Sequence, residues 1–580
     1  MSFSRLNFPE DLKGLSLQDL ESLADDLRQA ILSVCLKNGG HLGASLGTVE
    51  LAIALHRMFQ SPKEPIVWDV GHQAYAHKLL TGRWERFHTL RQIEGISGFL
   101  SRQENEHDTF GAGHSSTALS AALAMAWHRS GTQDWTVAVV GDGGLTAGVA
   151  FEALNNVRGT RMGPLRLVLN DNQMSISPNV GAVSNLFSGG SARSFFELFG
   201  FEYVGPTNGH DLSSLLGQLK AIREQGSGKP ILLHVMTQKG KGYAPAEEHP
   251  AAFHGVSPVQ EKLPEKASSS GTSLTKKKSY SEAFGDALCE LAKKDPKIVA
   301  ITAAMTEGTG LVRFASEFPD RFFDVGIAEP HAVTFAAGLA TQGYRPVVAI
   351  YSTFLQRALD GLIHDVAIQN LGVTFALDRA GLVGADGPTH HGAFDIAYTG
   401  MIPGFQLRAP ACLSDMRLLL EQAVRAGTPV AIRYPRGSGP EELHGTDAGE
   451  GVRVHTNAGS PELILIAAGA SAQRAIAAAR RVDPAGGRIR VLSVTQLKPI
   501  PASLLKRIVG TRAPLMIVED GAIRGGFGEA LLGELRGWAR QIELAGYGDH
   551  FIQHGSVAEL EEREGLSESK LADRISRILS

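Results

Sequence analysis

Two short apolar runs, Val137–Val140 and Leu165–Leu169, are rich in branched side chains and do not alternate with polar ones, which suits strands buried on both faces. Phe151–Val157 between them has helical spacing, so the order strand, helix, strand predicts a parallel pair. Upstream, Leu17, Leu20, Leu23, Leu27, Ile31 and Val34 form a helical stripe; Ser16 with Asp19 opens it as a capping-box variant and Asn38-Gly39-Gly40 stops it. Pro65–Val70 and Lys229–Val235 read as further strands, and Thr117–Trp127 as a helix. Beyond a polar, Ser-rich stretch at Glu261–Ser279, strands are expected at Ile298–Thr302, Arg345–Tyr351, Val373–Asp378 and Val430–Tyr434, with helices near Glu329–Gly343 and Leu355–Leu371. Pro440–Gly459 reads as polar and irregular, and Leu463–Ala467, Ile489–Val494 and Leu515–Val518 as the strands of a smaller third set. The pattern predicts three doubly wound α/β domains, at 1–262, 279–440 and 455–580.

Composition narrows the class. The chain has 580 residues, enough for about three or four domains each with its own core. Charged content of 20% and a net charge of −4 give no basic excess to attract nucleic acid or anionic lipid. Cys35, Cys289 and Cys412 lie far apart without metal-ligand spacing and are expected as buried thiols in a reducing compartment. No secretory pattern opens the chain and no run of about eighteen apolar residues occurs, so a cytoplasmic protein with no membrane partner is expected.

The chemistry centres on the ends of the two buried strands. In parallel sheets ligands bind outside the carboxyl ends of strands, where Asp142 and, thirty positions on, Asn172 fall. Gly141, Gly143 and Gly144 let a backbone approach phosphate, while oxygens from Asp142, Asn172 and a main-chain carbonyl suit Mg²⁺. A bare Gly-Asp-Gly is also an ordinary turn; the Asn-Asp-Asn ending the next strand is what favours a magnesium diphosphate anchor. Three histidines, His41, His72 and His114, follow turn or strand ends, and the helix start after Gly-His-Ser-Ser presents amides that favour an anion. In GGHLGASLG the glycines let the backbone approach a ligand around His41. Gly43, Ser45 and Gly47 there match a hydrolase G-x-S-x-G, but a helix rather than a strand precedes them, which denies a nucleophile elbow. Lys239 in a glycine-punctuated loop reads, alone, as solvated. No P-loop is present.

GGHLGASLG, VWDVGHQAYAHK, GHSS, GDGGLTAG, NDNQMSIS, IAEPHAVTFAAGLA, IYSTFLQRALD, DRAGLVGADGPTHHGAFD and IRYPRG occur in this order, and through them nearly the whole chain resembles the 1-deoxy-D-xylulose-5-phosphate synthases, relatives of transketolase and pyruvate dehydrogenase. The resemblance implies a homodimer of transketolase-like three-domain chains. These would use thiamine diphosphate and Mg²⁺ to condense pyruvate with D-glyceraldehyde 3-phosphate, releasing CO2 and supplying precursors of isoprenoids, thiamine and pyridoxal. It places the metal on Asp142, Asn172 and the Met174 carbonyl. It lines the cofactor with His72, Gly113, His114, Ser115, Gly143 and Gly144, and with Lys239 and Tyr243. In the second domain Glu329 would hydrogen-bond the aminopyrimidine, with Ile327 and Phe354 nearby. His41, His254 and His390 with Asp386 and Tyr351 become candidates for proton transfer and substrate orientation, and Arg379 and Arg436 for phosphate binding.

Two departures from the family stand out. Pro330 follows Glu329 where Gln is common, a change suited to a first helical turn. Asn179–Phe201 is much shorter than in relatives, and Ser188-Gly189-Gly190-Ser191 reads as a replacement linker. The rivals are a transketolase or a 2-oxoacid dehydrogenase component with another acceptor, and a silent assembly protein, against which intact Asp142, Asn172 and Glu329 argue.

Overall fold

The computed structural model describes residues 6–158, 163–175, 179–188, 191–225, 229–258, 277–535 and 541–580. The chain forms two compact units, one of residues 1–270 with 326–328, the other of 271–325 with 329–580. The Ser-rich stretch of the sequence reading lies almost entirely outside the described residues, as do Gly189 and Gly190.

The first unit holds a parallel sheet of β1 (Ile66–Trp68), β2 (Thr136–Gly141), β3 (Leu165–Asp171), β4 (Glu202–Asn208) and β5 (Ile231–Met236) in the order β1-β2-β3-β5-β4. Every residue of β3 is buried, as expected for a central strand covered on both faces. Helix α1 (Leu17–Asn38) opens on the Ser16 and Asp19 capping box and buries Leu20, Leu23, Leu27 and Ile31. Helix α2 (Ala118–His128) packs on β2 and against helix α3 (Gly148–Asn156).

The second unit contains two sheets. One has β6 (Ile298–Thr302), β7 (Phe322–Asp324), β8 (Arg345–Tyr351), β9 (Thr374–Asp378), β10 (Gln406–Arg408) and β11 (Val430–Arg433) in parallel. The other has β12 (Thr446–Asp447), β13 (Val452–Thr456), β14 (Leu463–Ala468), β15 (Ile489–Val494), β17 (Leu515–Ala522) and β18 (Ile542–Tyr547), with β16 (Gln496–Lys498) instead pairing antiparallel with β10 of the first. Helix α4 (Glu329–Thr341) takes Pro330 in its first turn, where its missing N–H costs nothing.

Two sequence expectations are corrected. The stretch 440–459 is not irregular throughout: β12 and β13 form in it, and β13 pairs antiparallel with β15, with Val452 and Val454 buried and the alternating Arg453 and His455 half-buried. The helix expected over 355–371 is broken into short pieces, Ser352–Leu355, Gln356–Ala358, Leu359–Gly361 and Leu362–Ala367, the second a 3₁₀ turn and the last a π-helical turn.

Candidate functional site

In the first unit β2 and β3 lie side by side with Gly141 opposite Asn170, which brings the Gly-Asp-Gly and Asn-Asp-Asn turns together. Asp142 is 2% exposed; its amide donates to the Asn170 carbonyl at 3.2 Å, and Asn179 Nδ2 donates to its Oδ2 at 2.8 Å. Burial, and then the neighbouring Asp171, hold the Asp142 carboxyl well above the usual carboxylate range. Burial, the largest single influence, would raise Asp171 too, but the bond from His234 Nε2 at 2.8 Å, the charge of His234 and the bonds with Asp142 and the Gln173 amide together keep it low. His234 Nδ1 in turn meets the Tyr203 hydroxyl at 2.6 Å. Asn172 Oδ1 accepts the Met174 amide at 3.0 Å, closing a turn that leaves a second lone pair on that oxygen. Lys239 Nζ donates to the Ser175 carbonyl at 2.8 Å and is buried, so the lysine that read as solvated instead pins the Asn-Asp-Asn loop.

These residues fit a magnesium diphosphate. Two buried carboxylates in contact are costly without a cation, and an oxygen set of carboxylate, amide carbonyl and main-chain carbonyl suits a hard divalent ion that keeps phosphate and water ligands. Among the described residues no group of three or more His, Cys, Asp and Glu is placed to hold a metal.

The helix start after Gly-His-Ser-Ser does hold an anion, but it is the chain's own. Asp69, buried just past β1, accepts from the amides of Ser116 at 2.8 Å and Ala118 at 3.2 Å. A Cβ at Gly144 would stand 2.5 Å from Asp69 Oδ2, so the carboxylate that holds the Ser116 and Ala118 amides also packs against the Gly-Asp-Gly-Gly turn. The glycines of GGHLGASLG likewise approach the chain's own backbone: a Cβ at Gly43 would meet the Phe253 carbonyl at 3.0 Å and one at Gly47 the Gln238 carbonyl at 2.9 Å. That packing gathers His41, His72 and His254, with ring centroids 5.8, 5.7 and 5.2 Å apart. Burial, with Lys239 nearby, holds His72 and His254 below the usual histidine range, hence neutral at pH 7, and Nδ1 of each lacks a hydrogen-bond partner among the described residues. Ser45 Oγ donates to the His72 carbonyl at 2.9 Å, a structural use that agrees with rejecting it as a nucleophile. Tyr243 packs edge-on to Phe253 at 5.8 Å.

In the second unit Glu329, 4% exposed at the start of α4, is raised by burial against the opposing pull of Arg357, whose Nη1 lies 3.4 Å away. Ile327 falls in the segment 326–328 that groups with the first unit. The other predicted residues converge at the carboxyl ends of β8, β9 and β11. Tyr351 stacks on Phe354 at 5.5 Å, and Phe354 meets His390 edge-on at 5.5 Å. The Arg379 guanidinium lies 4.1 Å over the Tyr351 ring and donates to Asp378 at 2.8 Å and to the Gly308 carbonyl at 2.5 Å. Arg436, more exposed, stands 3.6 Å from Asp386. Sequence reasoning missed Asp69, Asp171, His234, Arg357 and Asp378; an acidic residue that ends an apolar strand was a readable signal for Asp378.

With this geometry in view, comparison with known proteins is direct. A family model described as 1-deoxy-D-xylulose-5-phosphate synthase matches residues 3–192 and 186–237, in two stretches that meet at the Ser-Gly-Gly-Ser segment. The transketolase pyrimidine binding domain matches 276–441 and the transketolase C-terminal domain 452–571. A protein of Geobacter sulfurreducens named 1-deoxy-D-xylulose-5-phosphate synthase 2 is 44% identical over 621 positions, covering 98% of each chain. The 1-deoxy-D-xylulose-5-phosphate synthase of Cupriavidus taiwanensis is 46% identical over 618 positions, covering 97% of this chain and 95% of that one. That of Syntrophus aciditrophicus is 44% identical over 631 positions, covering 100% and 96%. These alignments are longer than the 580 residues here, so the relatives carry sequence this chain lacks. The chain belongs to the 1-deoxy-D-xylulose-5-phosphate synthase family.

Proposed function

We propose that the chain condenses pyruvate with D-glyceraldehyde 3-phosphate to 1-deoxy-D-xylulose 5-phosphate and CO2, as a cytoplasmic homodimer using thiamine diphosphate and Mg²⁺. Its product would feed isoprenoid, thiamine and pyridoxal synthesis. The observation that carries the reading is the buried Asp142 carboxyl beside Asn172 at adjacent strand ends, in a chain 44–46% identical to named synthases along its length. The segments 1–262, 279–440 and 455–580 are proposed as diphosphate-binding, pyrimidine-binding and C-terminal domains.

Thiamine diphosphate, when bound, supplies the electron sink that decarboxylation of a 2-oxo acid needs. The metal would sit on Asp142, Asn172 and the Met174 carbonyl, with His72, Lys239 and the amides around Gly113, His114, Ser115, Gly143 and Gly144 toward the diphosphate, and Tyr243 nearby. Glu329 keeps a proton more readily than an exposed glutamate and so can donate a hydrogen bond to a ring nitrogen, and Ile327 and Phe354 are proposed as further cofactor-binding residues. His254, held neutral, can accept a proton, and His41 and His390 are further candidates for proton transfer. Arg436 and Arg379 offer guanidinium forks to the substrate phosphate, while Asp386 and Tyr351 orient them.

The two arginines should separate in a mutant pair. Arg436→Ala is expected to lower kcat/KM for D-glyceraldehyde 3-phosphate about ten- to a hundredfold, from a charge-assisted bond of roughly 1.5 to 3 kcal/mol. Arg379→Ala should do the same and also lower the melting temperature, because it strands the buried Asp378 carboxylate at a cost of about 3 kcal/mol. Equal losses with unphosphorylated D-glyceraldehyde would remove both from phosphate binding. The reaction class is tested by replacing pyruvate with a ketose phosphate donor. The proposal expects CO2 release from pyruvate that depends on the aldehyde and little product from the ketose; the opposite preference would make the chain a transketolase.

A further inference from the structure

Residues 380–394 form the loop that carries Asp386 and His390, and the loop is held from behind by the C-terminal segment of the same unit. Its base is closed by reciprocal bonds between Gly381 and Gly392, both 2.8 Å, and the Ala522 amide, in β17, donates to the Ala393 carbonyl at 2.8 Å. At its far end a Cβ on Gly387, at φ +72°, would stand 3.0 Å from the His554 Cβ, and one on Gly384, at φ +89°, 3.2 Å from the Gly555 carbonyl. Between these points lies His391, 4% exposed. The Val383 amide donates to its Nδ1 at 3.1 Å, and its Nε2 stands 3.2 Å from the Gln553 carbonyl. A backbone N–H must meet a bare nitrogen and a carbonyl must meet an N–H, so the ring is the neutral tautomer protonated on Nε2. Burial favours that neutral form, against the weaker pull of Asp386 and Glu564 and with the help of His554.

We propose that His391 is a positioning residue: it latches the Val383 turn to the Gln553 carbonyl and thereby sets where Asp386 and His390 stand toward the substrate. It is neither of the residues that face the arginine and the aromatic stack. Asp386 meets Arg436 at 3.6 Å and His390 meets Phe354 at 5.5 Å, whereas both His391 nitrogens point to backbone. One side chain with an acceptor and a donor at opposite ends performs the whole task, so a glutamine, whose carboxamide offers both, can replace it. A side chain of similar bulk without polar atoms cannot. Because the loop carries the candidate substrate-orienting groups, a loosened latch costs catalysis through geometry, where a displacement of about 1 Å can cost up to a hundredfold.

The role in catalysis rests on the proposed reaction; the latch itself does not. In the full chain with thiamine diphosphate and Mg²⁺, His391→Gln is expected to keep kcat/KM within about threefold of the parent, and His391→Leu to lose about tenfold or more, mostly as a raised KM for D-glyceraldehyde 3-phosphate. Cofactor affinity should be the same in both. Should the leucine variant not fold, His391→Asn, polar but too short to span both partners, is expected to show the same loss. Amide exchange at residues 383–391, measured without substrate, should quicken in the leucine or asparagine variant and stay at the parent rate in the glutamine variant. Unchanged exchange in the leucine and asparagine variants, equal losses in glutamine and leucine, or full efficiency in leucine overturns the latch. A parent protein inactive on this substrate pair, with exchange still following the predicted order, overturns the reaction assignment and leaves the latch standing.

Discussion

Asp142→Ala is expected to abolish measurable binding of thiamine diphosphate in the presence of Mg²⁺, with affinity falling by at least about a hundredfold. Even residues that only support a metal ligand typically cost ten- to a hundredfold when removed, and Asp142 is the one anionic ligand of the proposed set. The variant should not fold less well. The native carboxyl is buried beside Asp171 and is costly there without a cation, so its removal relieves that cost, against the loss of its bond with Asp171 and of its bonds from the half-buried Asn179 amide and the Gly143 and Gln173 backbone amides. The melting temperature of the cofactor-free variant is therefore expected to stay level or rise. Calorimetric titration with Mg²⁺ and thermal melting together decide it: undiminished affinity excludes Asp142 from the site, and a fall in both would assign it a structural role.

Glu329→Ala is expected to lower turnover by about a hundredfold or more, the scale of a positioned acid or base, while cofactor affinity changes less. The carboxyl begins α4 and is buried with the Arg357 guanidinium 3.4 Å away, a contact too long to hold it firmly ionised. Glu329→Gln, which keeps a donor but cannot share a proton, should fall nearly as far as alanine. The readout is deuterium exchange at the thiazolium carbon of bound cofactor, and a rate unchanged by either substitution would take Glu329 out of its role.

Much of the scaffold could be read from the chain. Val137–Val140 and Leu165–Leu169 are continuous apolar runs bounded by Gly-Asp-Gly and Asn-Asp-Asn, and both became central strands whose ends meet. Arg345–Tyr351 was read to the residue because polar groups at both ends frame a purely apolar middle. The strand Val452–Thr456 was hidden because only two of its positions are buried, too few to stand out from a polar neighbourhood. The broken stretch 352–367 was hidden for another reason: its composition is helical throughout, and its interruptions carry no Gly or Pro signal except Gly361.

The site divides the same way. Asp142, Asn172 and His41 sit in motifs whose glycines or strand ends announce them, whereas Glu329 and His254 were named only through the family resemblance. Asp69 and Asp171 escape because their partners, the Ser116 and Ala118 amides and His234, are 47, 49 and 63 positions away in sequence. Spacing along a chain cannot reveal a hydrogen bond that only the sheet order creates. The glycines of GGHLGASLG were legible as close-approach residues, but whether they approach a ligand or the chain's own backbone is a tertiary fact.

The central claim is that the Gly-Asp-Gly and Asn-Asp-Asn turns build a cradle for a metal-bound diphosphate. Crystals grown with thiamine diphosphate and Mn²⁺ in place of Mg²⁺ test it most directly, because the anomalous signal of manganese locates the ion without reference to the protein. The account predicts one strong peak coordinated by Asp142, the Asn172 side-chain carbonyl and the Met174 main-chain carbonyl, with the cofactor diphosphate completing its ligands. A peak elsewhere, or cofactor bound with no metal on Asp142, would contradict it.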